Sequence, residues 1–435
     1  MNIILLSGGS GKRLWPLSND VRSKQFIKLF KDEEGNYESM VQRVYRQIQS
    51  VDEYANITIA TSKSQAIKNQ LGEKVEICVE PCRRDTFPAI LLASAYLHDE
   101  LSVSENECVV VCPVDPYVDN TYYEAVKQLE ELVSKNTANL TLMGIEPTYP
   151  SEKYGYIIPE SSEKVSVVKE FKEKPDTETA KKYLGMKALW NAGVFAFRLG
   201  YLLEKAHSFV DFMDYRELYE KYETLTKISF DYAVVEKESS IQVMRYHGDW
   251  KDVGTWNMMA EVMADDIKGK AIMDETCHNT QIINELNIPI LCMGCKDMVI
   301  AASGDGILVS DKERSGYMKP YVEKIGREAM FAEKSWGTYT VMDAQPGSMT
   351  VKVSMNAGNQ MSYHSHHYRE EVWTVIGGNG IAIVDGMEQM LRTGDVLTIA
   401  AGCKHTVKAT TNLDIIEVQL GESISAEDKY KHPFE

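Results

Sequence analysis

The residues that open the chain are arranged for phosphate chemistry. An apolar run ends at Leu5-Leu6 and passes into Ser7-Gly8-Gly9-Ser10-Gly11, followed directly by Lys12 and Arg13. Glycines let a backbone approach a phosphate closely and turn its N–H groups inward. The two basic side chains, with Lys24 farther on, supply countercharge. Two familiar phosphate loops do not fit. A P-loop needs Ser or Thr after its lysine, where Arg13 stands, and a dinucleotide loop needs glycine where Leu14 stands. A second chemistry-bearing group lies near the other end. His364 and His366 are two apart, so on a strand they share one face. Glu371 falls on or beside the following strand and His405 on a later one. Inside a barrel these four side chains can converge on one divalent ion, zinc or similar, with coordination positions left open.

The elements that must position these groups follow from the hydrophobic pattern. Over the first 265 residues, short β-rich runs (Ile3–Leu6, Ile57–Ala60, Val75–Val79, Val109–Val111, Leu140–Gly144) alternate with helical patterns (Met40–Val51, Ala89–Leu101, Tyr122–Ser134). That alternation predicts an α/β fold, Rossmann-like, with a mostly parallel sheet and helices on both faces. Residues 266–329 carry short strands without long helices and read as a small β connector without evident chemistry. Residues 330–435 are dense in short strands and glycine turns and predict a small β-barrel. Their last stretch, 425–435, is polar and expected to be peripheral.

Composition narrows the function. With 435 residues and a formal charge of -17, the chain is a poor candidate for binding nucleic acid or an anionic membrane. It can hold an anionic nucleotide only where local cations, backbone N–H groups or a metal reverse the field. No apolar run approaches the roughly 20 residues needed to span a bilayer. Met1–Leu6 lacks the basic lead and cleavage site of a signal peptide, so a cytoplasmic protein is expected. The eight cysteines are scattered and mostly lie in apolar runs, as reduced buried thiols do. Cys292-Met-Gly-Cys295 has ligand spacing but no accompanying second pair.

The full opening string, Gly8-Gly9-Ser10-Gly11-Lys12-Arg13-Leu14-Trp15-Pro16-Leu17-Ser18 with Lys24-Gln25-Phe26, resembles the signature of sugar-nucleotide pyrophosphorylases. It is nearest to the mannose-1-phosphate guanylyltransferases of the long bacterial type, which carry a phosphomannose isomerase-like cupin domain. The resemblance implies that Leu6 and residues 8–13 cradle a nucleoside triphosphate. Glu80-Pro81-Cys82-Arg83-Arg84-Asp85-Thr86-Phe87-Pro88 resembles the segment that reads base and ribose, which implies nucleotide contacts for Arg84 and Asp85. The family more often has Asn and Ala at the positions of Asp85 and Phe87. Val111-Cys112-Pro113-Val114-Asp115-Pro116 and Trp250-Lys251-Asp252-Val253-Gly254 resemble the segments presenting two Mg²⁺-binding carboxylates, Asp115 and Asp252. Tyr154-Gly155, Glu173-Lys174, Asn191 and, from Ser229-Phe230-Asp231, Asp231 match the sugar-binding positions.

The implied reaction is GMP transfer from GTP to mannose 1-phosphate, giving GDP-mannose and pyrophosphate. Arg13, Lys24 and Lys174 would neutralise the phosphates and Mg²⁺ would sit on Asp115 and Asp252. The same reaction on another sugar 1-phosphate or nucleotide, and a non-catalytic sugar-phosphate sensor, are the alternatives. A homodimer is expected by analogy with relatives. The C-terminal half of the resemblance, running from Gly358 through His364, His366 and Glu371 to Gly394–His405, matches the cupin signature and implies phosphomannose isomerase as a possible second activity. The family usually ends with an arginine tied to isomerisation, and this chain has none after Arg392.

Overall fold

The computed structural model describes residues 1–8, 11–19, 22–62, 70–325, 330–425 and 427–433. The chain divides into two compact units: residues 1–9 with 25–254, and residues 10–24 with 255–435.

The first unit is built on a nine-stranded sheet. Its first strand, Asn2–Ser7, lies between Asn56–Ser62 and Cys108–Pro113 and runs parallel to both. Ile3, Ile4 and Leu5 are all fully buried. Burial of successive residues means that both sheet faces are covered, which explains a continuous apolar run rather than an alternating one. Ile4, Val109 and Val111 share a core cluster with the helix Thr86–Asp99. The helix Asn120–Ser134 packs on the strand Cys108–Pro113 without entering that cluster, and so covers the opposite face. Beyond that strand the sheet becomes mixed. Leu189–Arg198 is antiparallel to both Cys108–Pro113 and Leu140–Ile145, whereas Ile241–Tyr246 is parallel to Leu140–Ile145.

Local chemistry fixes where the helices start. Ser39 and Gln42 form a reciprocal capping box at the head of Met40–Val51. Asp119 accepts from the Thr121 amide at the head of Asn120–Ser134. Asp85 caps Thr86–Asp99 from an unusual φ of 72°, accepting from the Thr86 amide.

The second unit contains the connector and the barrel. In the connector Ile267–Gly269, Gln281–Asn284 and Met298–Ser303 stack in parallel, closed by the antiparallel Gly306–Asp311. The barrel consists of a six-stranded and a five-stranded sheet. Trp373, Val353, Ala382, Val407 and Ile415 fill its core. No helix among the described residues is long and apolar enough to cross a membrane.

Candidate active site

In the first unit, two short strands bring the acidic pair together. Pro116–Val118 pairs antiparallel with Trp250–Asp252, and Asp252 is the direct partner of Pro116. Facing residues in such a ladder have Cα atoms about 4.5–5.5 Å apart. Asp115 is one residue beyond Pro116, so the register itself places the two carboxylates at one end of the ladder. Both are half-buried. Their hard oxygen donors suit Mg²⁺ beside phosphates.

An aromatic wall adjoins this pair, and its tryptophans were not read as functional in the sequence. Tyr154 packs against Trp190 at 4.8 Å and Trp250 at 5.5 Å, and Tyr149 meets Trp190 at 5.1 Å. Burial, with the Asp252 charge next in size, pushes the Tyr154 hydroxyl well above its ordinary range. Tyr154, Trp190 and Trp250 each stand one or two residues before a motif position, Gly155, Asn191 and Asp252, and that adjacency was the available signal. Apolar rings beside a carboxylate exclude water and strengthen its field.

The sugar-binding candidates also converge. Asn191 lies where the strand Leu189–Arg198 bulges, with Gly193 at φ 70°. Its backbone amide donates to the Gly155 carbonyl at 2.8 Å, and its side chain donates to Asp231 Oδ1 at 2.7 Å. A Cβ at Gly155 would fall 2.5 Å from Glu173 Oε2, so a larger residue there would displace that carboxylate. Glu173 is buried, its Oε1 accepts from Lys174, and its Oε2 has no hydrogen-bond partner among the described residues. A buried acceptor left unpaired is costly, so a hydroxyl-rich ligand has an acceptor waiting for it. Burial alone would lower the Lys174 ammonium. Its bond to Glu173, with the charges of Glu173 and Asp231, more than reverses this.

Asp231 is pushed up from 3.8 to about 7, by burial first and then by the Glu173 charge. The folded chain therefore holds this proton more tightly than the unfolded chain. The stability linked to it is full below about pH 4 and is lost as pH rises towards 7. Asp231→Asn is expected to flatten that part of the profile, read as thermal midpoints of variant and wild type from about pH 4 to 8. Parallel curves would refute the assignment.

Arg84 donates to the Glu223 carbonyl, and Asp85 is occupied in capping its helix. Leu6 lies in the first strand, and Gly8 is exposed with no described atom within 4 Å of where a Cβ would sit. Gly8 thus leaves open space in front of the strand end rather than relieving a clash. Gly9 and Ser10 lie outside the described residues.

In the second unit, Gly11–Leu14 forms a 3-10 turn with Leu14 buried and Arg13 exposed. The side chain of Lys12 lies outside the described residues. The turn's return leg is pinned. Trp256 Nε1 donates to the Trp15 carbonyl at 2.9 Å and Ser303 donates to the Pro16 carbonyl at 2.7 Å. Asn19 donates to Asp305 at 2.7 Å, and Arg22 grips Glu285 with both terminal nitrogens. Lys24 is half-buried and opens a second 3-10 turn.

The barrel brings His364, His366 and His405 together, all buried, with one candidate ligand atom each within 4.8 Å of the others. His364 and His405 are direct cross-strand partners. Every Nδ1 faces a backbone carbonyl: Ser362 for His364 at 2.7 Å, Cys403 for His405 at 3.0 Å, and Asp428 for His366. An Nδ1–H given to a carbonyl leaves Nε2 as an acceptor, the form in which imidazole ligates metal. Glu371 Oε1 is 3.0 Å from His366 Nε2, and its Oε2 is 3.3 Å from His405 Nε2. Arg369 is the cation beside this pair, donating to Glu371 Oε1 at 3.3 Å and lying 3.1 Å from His366 Nε2, and the three clustered imidazoles are the donor set that fits a divalent ion. Burial, chiefly, lowers His364 to about 3 and keeps it neutral.

The C-terminal stretch is not peripheral, contrary to the sequence expectation. Asp428 is buried and accepts from the His367 and Tyr368 amides at 2.9 and 3.1 Å, which fixes the histidine-bearing turn. Tyr430 and Lys431 pair with the His364–Ser365 strand. A cavity of about 1010 Å³ is lined by His364, Glu371, Glu417, Lys334 and Lys429, among others. Burial, then the Glu371 charge, raises Glu417 to about 7.

Residues 2–269 match the nucleotidyl transferase family model, and residues 326–432 match the model of the mannose-6-phosphate isomerase C-terminal region. The chain is 30% identical to the xanthan biosynthesis protein XanB of Xanthomonas campestris pv. campestris (strain B100), over 98% of this chain and 96% of that protein. It is 27% identical to the mannose-1-phosphate guanylyltransferase of Klebsiella pneumoniae, over 98% and 97%. A crystal structure of mannose-1-phosphate geranyltransferase, from Thermus thermophilus, superposes with a TM-score of 0.61 at 26% identity, covering 75% of this chain and 99% of that one.

Proposed function

The chain belongs to the nucleotidyl transferase family, and on that premise we propose that it transfers GMP from GTP to mannose 1-phosphate, giving GDP-mannose and pyrophosphate. The observation that carries this reading is the ladder register that seats Asp115 beside Asp252 in the unit that also holds Glu173, Lys174, Asn191 and Asp231. The substrate pair rests on the named relatives that align along nearly the whole chain.

The chemistry is charge management. An oxygen of the sugar phosphate attacks the α-phosphorus of GTP. The bond from that phosphorus to its bridging oxygen breaks, and pyrophosphate leaves with the electron pair. The nucleophile is already ionised at neutral pH, so no general base is needed. The barrier is electrostatic and orientational. Lys174 offers its charge to the sugar phosphate, while Glu173, Asn191 and Asp231 orient the sugar hydroxyls. Arg13 and Lys24 supply cations of the glycine turn for the triphosphate, and Arg84 and Asp85 belong to the base- and ribose-reading segment. Asp115 and Asp252 would hold Mg²⁺, which when bound neutralises the facing phosphates.

This reading goes with a transferase over residues 1–265, a connector over 266–329 and a barrel over 330–435, working as a cytoplasmic homodimer. A second activity is favoured by one observation: His364 of the histidine cluster and Glu371 share their cavity with Lys334 and Lys429. A divalent ion held by His364, His366, Glu371 and His405 would polarise a sugar carbonyl, and mannose 6-phosphate isomerisation is the matching reaction.

The test is pyrophosphate release by the full chain across a panel of nucleoside triphosphates and sugar 1-phosphates. A parallel assay supplies mannose 6-phosphate with and without divalent metal. GTP with mannose 1-phosphate is expected to be the preferred pair by about tenfold or more, the scale set by one or two specific contacts in a substrate pocket. Preference for another pair overturns the substrate assignment, and binding without turnover of any pair overturns the enzyme reading.

A further inference from the structure

Two segments about 140 residues apart are laced together in the first unit. Tyr222 donates to Glu80 at 2.6 Å, Arg84 donates to the Glu223 carbonyl, and the Phe87 amide donates to the Ile228 carbonyl at 3.2 Å. The fourth contact is of another kind. The hydroxyl oxygen of Thr86 accepts from the Phe230 amide at 2.9 Å. Phe230 opens the four-residue helix Phe230–Ala233, whose second residue is Asp231. Ser229 caps this helix at the Tyr232 amide, so the Phe230 amide is left to Thr86. Phe230 is fully buried, 4.6 Å from Phe195 and 6.4 Å from Phe87 between ring centres. Without the Thr86 hydroxyl, a buried donor would lose its partner.

On its other side Thr86 is tied to the nucleoside segment. Its amide is held by Asp85 Oδ1 at 2.8 Å, and Asp85 sits at φ 72°. A displacement of Asp85 by a base or ribose therefore moves the oxygen from which the Asp231 helix hangs. Asp231 in turn fixes Asn191 and faces Glu173 and Lys174.

We infer that Thr86 is a positioning residue that couples occupancy of the nucleoside segment to the affinity of the sugar-phosphate subsite. This rests on the transferase reading. Such coupling is reciprocal, so GTP should tighten sugar-phosphate binding by the factor with which the sugar phosphate tightens GTP.

Thr86→Val keeps the shape and removes the hydroxyl. Its KM for mannose 1-phosphate is expected to rise about tenfold, the loss of one hydrogen bond to a buried amide. By the same reciprocity the KM for GTP at saturating sugar phosphate should rise by a similar factor, while the Kd of each ligand measured alone stays within about twofold, and Thr86→Ser, which retains the hydroxyl, should restore the wild-type values. A purely structural threonine would lower the thermal midpoint without changing the ratio of each ligand's Kd measured with and without the other ligand. An unchanged ratio of those constants in Thr86→Val, or Thr86→Ser behaving like Thr86→Val, overturns the inference.

Calorimetry on the wild-type protein gives a readout independent of any variant. The Kd of mannose 1-phosphate should fall several-fold in the presence of a non-hydrolysable GTP analogue, and an unchanged Kd also overturns the coupling. If the wild type does not turn over GTP with mannose 1-phosphate, the substrate reading fails on its own. The same binding measurement then uses the best pair from the panel.

Discussion

Asp252→Asn is expected to cut pyrophosphate release on the order of 10²-fold or more, the scale of losing one preorganised electrostatic stabiliser in an active site. The substitution keeps the side chain's shape and removes its charge. The ladder that carries Asp252 is made by backbone groups of Trp250–Asp252 and Pro116–Val118, so its register does not depend on the carboxylate. Turnover should therefore fall while the thermal midpoint stays near that of wild type. Excess Mg²⁺ should recover part of the rate, because the defect lies in holding the ion. Asp115→Asn should behave alike. The double variant should be little worse than either single one, since two ligands of one ion do not contribute additively. Wild-type rates for Asp252→Asn across a Mg²⁺ titration would remove the acidic pair from the mechanism.

The second large effect concerns the barrel. The full chain, loaded with zinc or manganese and dialysed, is expected to retain one equivalent at the histidine cluster, measurable by elemental analysis. His364→Ala with His405→Ala should retain none. These two residues face each other across paired strands, so both donors leave one side of the site together. Bound metal should also protect the fold, by about 2.7 kcal/mol at a free concentration roughly one hundred times Kd. The thermal midpoint of wild type should thus rise with metal while that of the double variant does not. Asp252→Asn should keep the barrel equivalent, which separates the two metal sites. Equal metal retention by wild type and double variant would dismiss the cluster as a ligand set.

Much of this arrangement was legible in the sequence where local chemistry and periodicity agree. The strand read at Ile3–Leu6 forms as Asn2–Ser7, and the helix read at Met40–Val51 forms with those bounds because Ser39 and Gln42 cap it. The clustering of His364 with His366 was readable because a strand repeats its faces every two residues. Leu189–Arg198 was not read as a strand, since Asn191-Ala192-Gly193 breaks its alternation with the bulge that aims Asn191 at Asp231. The candidate residue interrupts the pattern that would have revealed its element. Asp428 was missed for a related reason. Its stretch is polar and short, and its burial comes from accepting the amides of a turn about 60 residues earlier. No local pattern encodes that contact. The aromatic wall formed by Tyr154, Trp190 and Trp250 likewise exists only once three distant segments meet.

The anchoring of the return leg at Trp15, Pro16, Asn19 and Arg22 bears on how this protein can be divided. Its holdfasts, Trp256, Ser303, Asp305 and Glu285, are mostly connector residues. A shortened chain ending at residue 265 would contain every transferase motif yet lose three of those four moorings. The connector is thus part of the scaffolding of the segment that follows the glycine turn, and grafting the N-terminal portion onto another partner would require carrying that scaffold along.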